Sequence, residues 1–156
     1  MPSIDASTSP PTTTNTAVVH LRRGGTSVVL ALTSPPSIVH WGEDLGELDD
    51  QALQGLSVAA APQRVSGGQD VTPVLSVLPT PAHGWLGTAG LEGHRAEGGI
   101  SARWTLVGVD ADAGHARLSL TDDEAGLAGV VELEVDAAGL FRQRITLRNS
   151  GRSPYA

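Results

Sequence analysis

The chain has 156 residues, enough for one domain or part of a larger one, and aromatic residues make up only 3% of it, so Val, Leu, Ile and Ala must fill any core. A net charge of −7 argues against a nucleic-acid partner, and no apolar run approaches the length of a membrane span. The absence of cysteine excludes disulfides and thiolate metal sites, while 19 glycines and 10 prolines favour short strands joined by turns over long helices.

Residues 1–15 are rich in Ser, Thr and Pro and have neither the basic start nor the apolar stretch of a signal peptide. They are expected to be a disordered tail, and the location is expected to be cytoplasmic. Residues 16–23 alternate apolar and polar side chains, Gly24-Gly25 follows, and residues 26–33 are rich in β-branched types. Two glycines between such runs predict a tight hairpin, since both central positions can take positive φ. In that register Leu21 faces Val28 and Val19 faces Leu30. Pro35-Pro36 ends the second strand, and residues 37–41 form a short third one.

The one helical signal lies over residues 49–56, where Asp49 or Asp50 supplies a cap and Ala52, Leu53 and Leu56 share a face. Residues 71–78 read as a further strand, interrupted by Pro73 and so an edge. Residues 83–99 contain six glycines and predict a long loop, a kind that more often carries function than not. Two hairpins follow, closed by Asp112-Ala113-Gly114 and by Ala137-Ala138-Gly139, each expected to end in a left-handed glycine. The last hairpin predicts Val135 opposite Phe141 and Val131 opposite Ile145 on a buried face, with Glu134 opposite Arg142 and Glu132 opposite Arg144 on a wet one. Strand succeeds strand with little helix between. The expected fold is therefore all-β, an antiparallel β-sandwich over residues 16–156 with at most one short helix.

Three stretches stand out together. The first is Val39-His40-Trp41-Gly42-Glu43-Asp44-Leu45-Gly46. The second is Gly84-Trp85-Leu86-Gly87-Thr88-Ala89-Gly90-Leu91-Glu92-Gly93-His94-Arg95. The third is Gly139-Leu140-Phe141-Arg142, running on to Leu147-Arg148-Asn149-Ser150-Gly151. In order and spacing they resemble the N-terminal domain of α-galactosidases of glycoside hydrolase family 36, from about Thr16 to the end. The His-Trp-Gly-x-Asp-Leu-Gly segment is the most specific of the three.

The resemblance implies a β-supersandwich that precedes a catalytic (β/α)₈ barrel and a small C-terminal β domain. It implies an intact enzyme that hydrolyses terminal α-galactosides, such as raffinose and melibiose, with retention. The family's two catalytic aspartates lie in the barrel, so neither carries over onto this chain. The family sandwich is longer than this sequence, which is expected to stop inside it, just after Asn149-Ser150-Gly151. In the family the sandwich helps to build oligomers, and its loops can reach a galactoside pocket. Where many members read Gly-x-Gly-Asp-x-Arg, Gly93 stands in the place of the aspartate, so the resemblance implies no sugar contact from an aspartate there.

The residues give their own reading of the chemistry. Glu43-Asp44, Asp49-Asp50 and Asp122-Asp123-Glu124 all fall at turns or strand ends, and no pair stands out as the two carboxyls a retaining glycosidase needs. His20, His40, His83, His94 and His115 share no metal-ligand spacing, so neither metal nor other cofactor is expected. Dinucleotide, Walker and nucleophile-elbow motifs are absent from the sequence. Trp104 shares a face with Ile100, Ala102 and Leu106 and is expected in the core. Trp41, next to His40, is either core or inter-domain packing. Trp85 is either a platform for a sugar ring or a neighbouring domain, or a plug over the sandwich. Arg95 either donates to a sugar or an interface carboxylate, or is solvated or internally paired.

The expected role is that of a non-catalytic sandwich whose partners are the barrel of the same polypeptide, further copies of itself and an α-galactoside reached through Trp85 and Arg95. The alternative is a stand-alone carbohydrate-binding or interaction sandwich. On the first reading, sheet surface left uncovered makes the chain alone marginally stable.

Overall fold

The computed structural model describes residues 17–63, 66, 67, 72–96, 98 and 101–156. The expected tail, residues 1–15, lies outside them, as do Val71 and Ile100. Seven strands form two antiparallel sheets. The first sheet has β1 (Val18–Arg23), β2 (Thr26–Ala31) and β3 (Ser37–Glu43) in that order; the second has β4 (Thr105–Ala111), β5 (His115–Asp122), β6 (Leu127–Val135) and β7 (Phe141–Asn149).

The Gly24-Gly25 turn takes φ of 58° and 77°, so both glycines are left-handed and the hairpin closes in the expected register, Val19 against Leu30 and Leu21 against Val28. Gly139 (φ 80°) closes the last hairpin, where Val135 pairs with Phe141 and Val131 with Ile145. The middle turn differs from expectation, because Gly114 is not left-handed. There Asp112 Oδ1 accepts the Gly114 and His115 amides at 2.8 and 2.9 Å and shapes the turn by itself. A Cβ on Gly114 would stand 3.3 Å from Cδ of the flexible Arg23 side chain.

The two sheets face each other across one core. Leu21, Val28 and Leu30 of the first pack with Leu118, Leu120, Val131, Leu133 and Val135 of the second, and Trp104 and Ala102 close one end. Trp104 is buried as expected. The helix α1 (Asp50–Ala59) lies on the other face of the first sheet, where Leu53 packs with Val18 and Val29. Asp49 caps it, accepting the Ala52 amide at 2.8 Å. Strand β2 is therefore covered on both faces, which is why Ser27–Ala31 are buried without alternation.

Two expectations are corrected, and one is met in register with its ion pairs placed elsewhere. The described part of the predicted 71–78 strand makes only a bridge, Ser76 to Ser37, with hydrogen bonds from Ile38 N to Leu75 O and from Val77 N to Pro36 O. Pro73 supplies no amide hydrogen, so no longer ladder extends from it. The charges of the last hairpin are opposed in the expected register, but their ion pairs run elsewhere: Glu132 holds Arg117 at 2.6 Å, and Arg142 holds Asp136 at 3.0 Å. Ile145 points toward the core yet stays 37% exposed, because a sheet of three strands does not cover a sheet of four.

Candidate functional site

The most specific sequence segment, residues 39–46, folds into a knot around Asp44. The carboxylate accepts Arg22 Nε at 2.5 Å, the Gly46 amide at 3.0 Å and the Ser27 hydroxyl at 3.2 Å. The Arg22 hydrogen bond and then the Gly46 amide lower its pKa to about 2. Ser27 is fully buried, and His20 Nε2 lies 2.8 Å from its hydroxyl. A serine–histidine contact beside an aspartate suggests a nucleophile, but Ser27 has no exposed surface for a substrate to reach. Its hydroxyl is engaged by the Leu45 amide at 3.0 Å, Asp44 Oδ1 at 3.2 Å and His20 Nε2 at 2.8 Å. Burial, then Arg22, lowers the His20 pKa. The knot turns the chain from β3 toward α1; it is a strut.

Of the two residues at the head of that segment, Trp41 is 62% exposed and so is not core. Its ring packs on Phe141 of the opposite sheet, centroids 5.3 Å apart and tilted by 57°. Among the described residues, His40 Nε2 reaches the Glu43 carbonyl alone, at 3.3 Å.

The glycine-rich loop closes on itself at one end. Trp85 is half-buried; its Nε1 donates to Thr88 O at 2.9 Å, and its ring lies over Gly87, where a Cβ would stand 3.0 Å from Nε1. Beneath it, His83 Nε2 accepts the Trp104 amide at 2.9 Å, which requires the neutral ring that burial favours by lowering its pKa. Leu86 is 79% exposed.

The other end of the loop is held by Arg95. Its guanidinium donates to the carbonyls of Ala125, Gly126 and Ser153 and to Asn149 Oδ1 at 2.6 Å. Its five donors thereby tie the loop to the β5–β6 turn and to the segment after β7. Tyr155 completes the junction, donating from its hydroxyl to Gly93 O at 2.8 Å, while His94 and Ala156 exchange backbone hydrogen bonds. A Cβ on Gly93 would clash with Cε1 of Tyr155 and stand 2.8 Å from Ala156 O. With Tyr155 seated there and φ at 153°, the position favours glycine. Among the described residues no hydrogen bond or aromatic contact joins Trp85 to Arg95, or either to Trp41.

A cavity of about 520 Å³ lies on the solvent face of the four-stranded sheet, which sequence reasoning did not single out. Charged groups of both signs line it: Arg117 pairs with Glu132, and the His115 ring lies 3.3 Å from Asp112 and 3.6 Å from Glu134. The Gly114 and His115 amides hold the Asp112 carboxyl below its ordinary range. Asp136 is lowered likewise, by the Leu140 amide first. Asp44, Asp112 and Asp136 are thus held ionised, the opposite of what a glycosidase acid requires. Among the described residues, no three His, Asp or Glu side chains gather to hold a metal ion, and no helix is long and apolar enough to cross a membrane.

Alternating strand patterns and paired turn glycines marked the scaffold, but the contacts Ser27–Asp44, Asn149–Arg95 and Tyr155–Gly93 carried no local signal, since each joins residues far apart along the chain. The family model described as glycosyl hydrolase family 36 N-terminal domain matches residues 34–156, a span that begins just after β2. No curated protein and no solved structure matches the chain.

Proposed function

The chain belongs to the glycosyl hydrolase family 36 N-terminal domain family, and from that membership we propose that it serves as the non-catalytic sandwich of an α-galactosidase. In this reading the hydrolysis of terminal α-galactosides such as raffinose and melibiose is done by a barrel of the same polypeptide. The sandwich packs on that barrel, helps to build an oligomer and brings the Trp85 loop toward the sugar pocket. One observation carries the reading: the polar groups of the family-like segments are spent inside the domain, Asp44 on Arg22 and Arg95 on four backbone and side-chain acceptors, rather than turned toward a ligand. Trp41 and Leu86 remain outward and are the groups offered to a neighbour.

Arg95 is the weaker of the two expected sugar contacts, because its donors are already engaged. Trp85 keeps a partly open ring face and is the stronger. The test is an assay of the purified 156-residue chain with a chromogenic α-galactoside. It should release no chromophore above the buffer blank. Turnover that co-purifies with the folded chain and responds to substitution of a carboxylate in the cavity would overturn the proposal.

A further inference from the structure

The glycine-rich loop leaves the core at a three-point zip. Residues 80–83 lie against residues 101–104, and each tooth is a side chain of one segment on the backbone of the other. Thr80 Oγ1 donates to Ala102 O at 2.7 Å, Ser101 Oγ accepts the Ala82 amide at 3.1 Å, and His83 Nε2 accepts the Trp104 amide at 2.9 Å. Thr80 is fully buried and Trp104 is 1% exposed, so the zip closes onto the end of the core. Two of the teeth are hydroxyls, which do not titrate near neutral pH. The third is an imidazole, which does.

A backbone amide can only donate, so the contact with Trp104 fixes the state of the ring: Nε2 presents a lone pair and the proton sits on Nδ1. A second proton sets N–H against N–H and removes the acceptor. The charged groups facing the ring are Arg103 and Asp122. Arg103 disfavours a further positive charge. Asp122 favours one, but its carboxylate is occupied by the Arg103 and Ala125 amides, at 2.6 and 2.8 Å. Burial first, and then Arg103, lower the His83 pKa below 6.5.

The same bond stands at the foot of the arc that carries Trp85. His83 ends a 3₁₀ turn, Pro81–His83, and Gly84 follows in the left-handed region with φ of 77°. The chain is next tied back at Gly90, whose amide donates to Pro79 O at 2.7 Å. Among the described residues, no hydrogen bond joins residues 85–89 to the rest of the domain; Trp85 Nε1 bonds within the arc, to Thr88 O. We propose that His83 is a pH-sensitive latch: neutral, it fastens the Trp85 arc to the Trp104 end of the core; protonated, it releases the arc while the rest of the sandwich stays closed. Above 6.5 the latch holds. Between 6.5 and the lower value of the closed ring, the released form binds a proton that the closed form does not, so its share grows about tenfold for each pH unit. The inference goes beyond the family reading and does not rest on it.

The test is imidazole nitrogen NMR together with amide hydrogen exchange on the 156-residue chain, from neutral pH down to about pH 5. At neutral pH the His83 ring should show a bare Nε2 and a protonated Nδ1. As the pH falls below 6.5, protection of the Trp104 amide, corrected for the intrinsic exchange rate, should drop by up to about tenfold per pH unit, while amides of β5 and β6 keep theirs. In His83→Gln an amide oxygen that does not titrate stands in for Nε2, and the protection should become flat with pH. A proton on Nε2, a flat Trp104 profile in the unaltered chain, or protection lost together with that of β5 and β6 would each overturn the proposal. So would an unchanged pH dependence in His83→Gln, which would give the titration to Asp122 or another group. The first three outcomes are read on the unaltered chain, so the test stands even where the variant does not fold.

Discussion

Ser27 has no exposed surface and is bonded on every side, which makes it a sensitive point in the first sheet. Ser27→Ala leaves the Leu45 N–H without a partner, and an orphaned donor costs about 1–3 kcal/mol. A urea melt should show a lower midpoint with an unchanged slope; an unmoved midpoint would mean that the hydroxyl does no structural work. Its neighbour Asp44 links the same knot to pH. The Arg22 and Gly46 hydrogen bonds bring its pKa from 3.8 to about 2 in the folded state. A folded-state value below the unfolded one gives stability that is complete above the unfolded pKa and lost as pH falls through the folded one. Asp44→Asn cannot ionise, so it should flatten the loss of stability between 3.8 and about 2. Parallel acid limbs for the two proteins would assign that titration to another group. His20 acts in the same sense at higher pH: burial lowers its pKa below 6.5, so its share is intact above 6.5 and declines as the pH falls further.

At the scale of elements, the turns between β1 and β2 and between β6 and β7 interlock. Thr26 Oγ1 donates to Gly139 O at 2.9 Å, and a Cβ on Gly139 would lie 2.5 Å from Gly24 O while φ is 80°. Gly139→Ala therefore meets both a clash and a strained backbone, about 1–3 kcal/mol. Gly55→Ala should do the reverse, since a Cβ there meets nothing within 4 Å and alanine favours the helix by up to about 1 kcal/mol. Thermal melts of the pair should move in opposite directions; a destabilised Gly55→Ala would show that α1 is constrained by more than its own propensity. Both turns were legible in sequence, because Gly-Gly and a closing glycine between alternating runs leave few registers open. The ion pairs of β6 were not, since register fixes which residues are opposite but not which way a long arginine reaches. Arg95 was harder still: its acceptors are carbonyls 30 to 58 residues away, and a carbonyl carries no residue-type signal. The strand expected over residues 71–78 failed for a simpler reason, an apolar pattern whose proline left it one bridge instead of a ladder.

For the whole molecule, the question is whether the two sheets stand or fall together. The core answers it through composition. With aromatics at 3%, the first sheet contributes mainly Leu21, Val28 and Leu30 to the interface, too little to bury itself alone. Leu118, in the middle of the second sheet, is fully buried within the cluster that contains these three. Leu118→Ala should cost about 2–5 kcal/mol, a large part of the roughly 5–15 kcal/mol typical of a native domain. If the sheets form one cooperative unit, the loss appears equally in both: amides of β1 and β2 should lose as much exchange protection as those of β5 and β6. Protection that falls in β5 and β6 while holding in β1 and β2 would make the hairpin, with α1 behind it, an independent unit. The interlocked glycine turns at one end and the Trp41–Phe141 contact on the flank cross between the sheets outside the shared core. Those contacts favour the single transition, because neither hairpin keeps them once the other has opened.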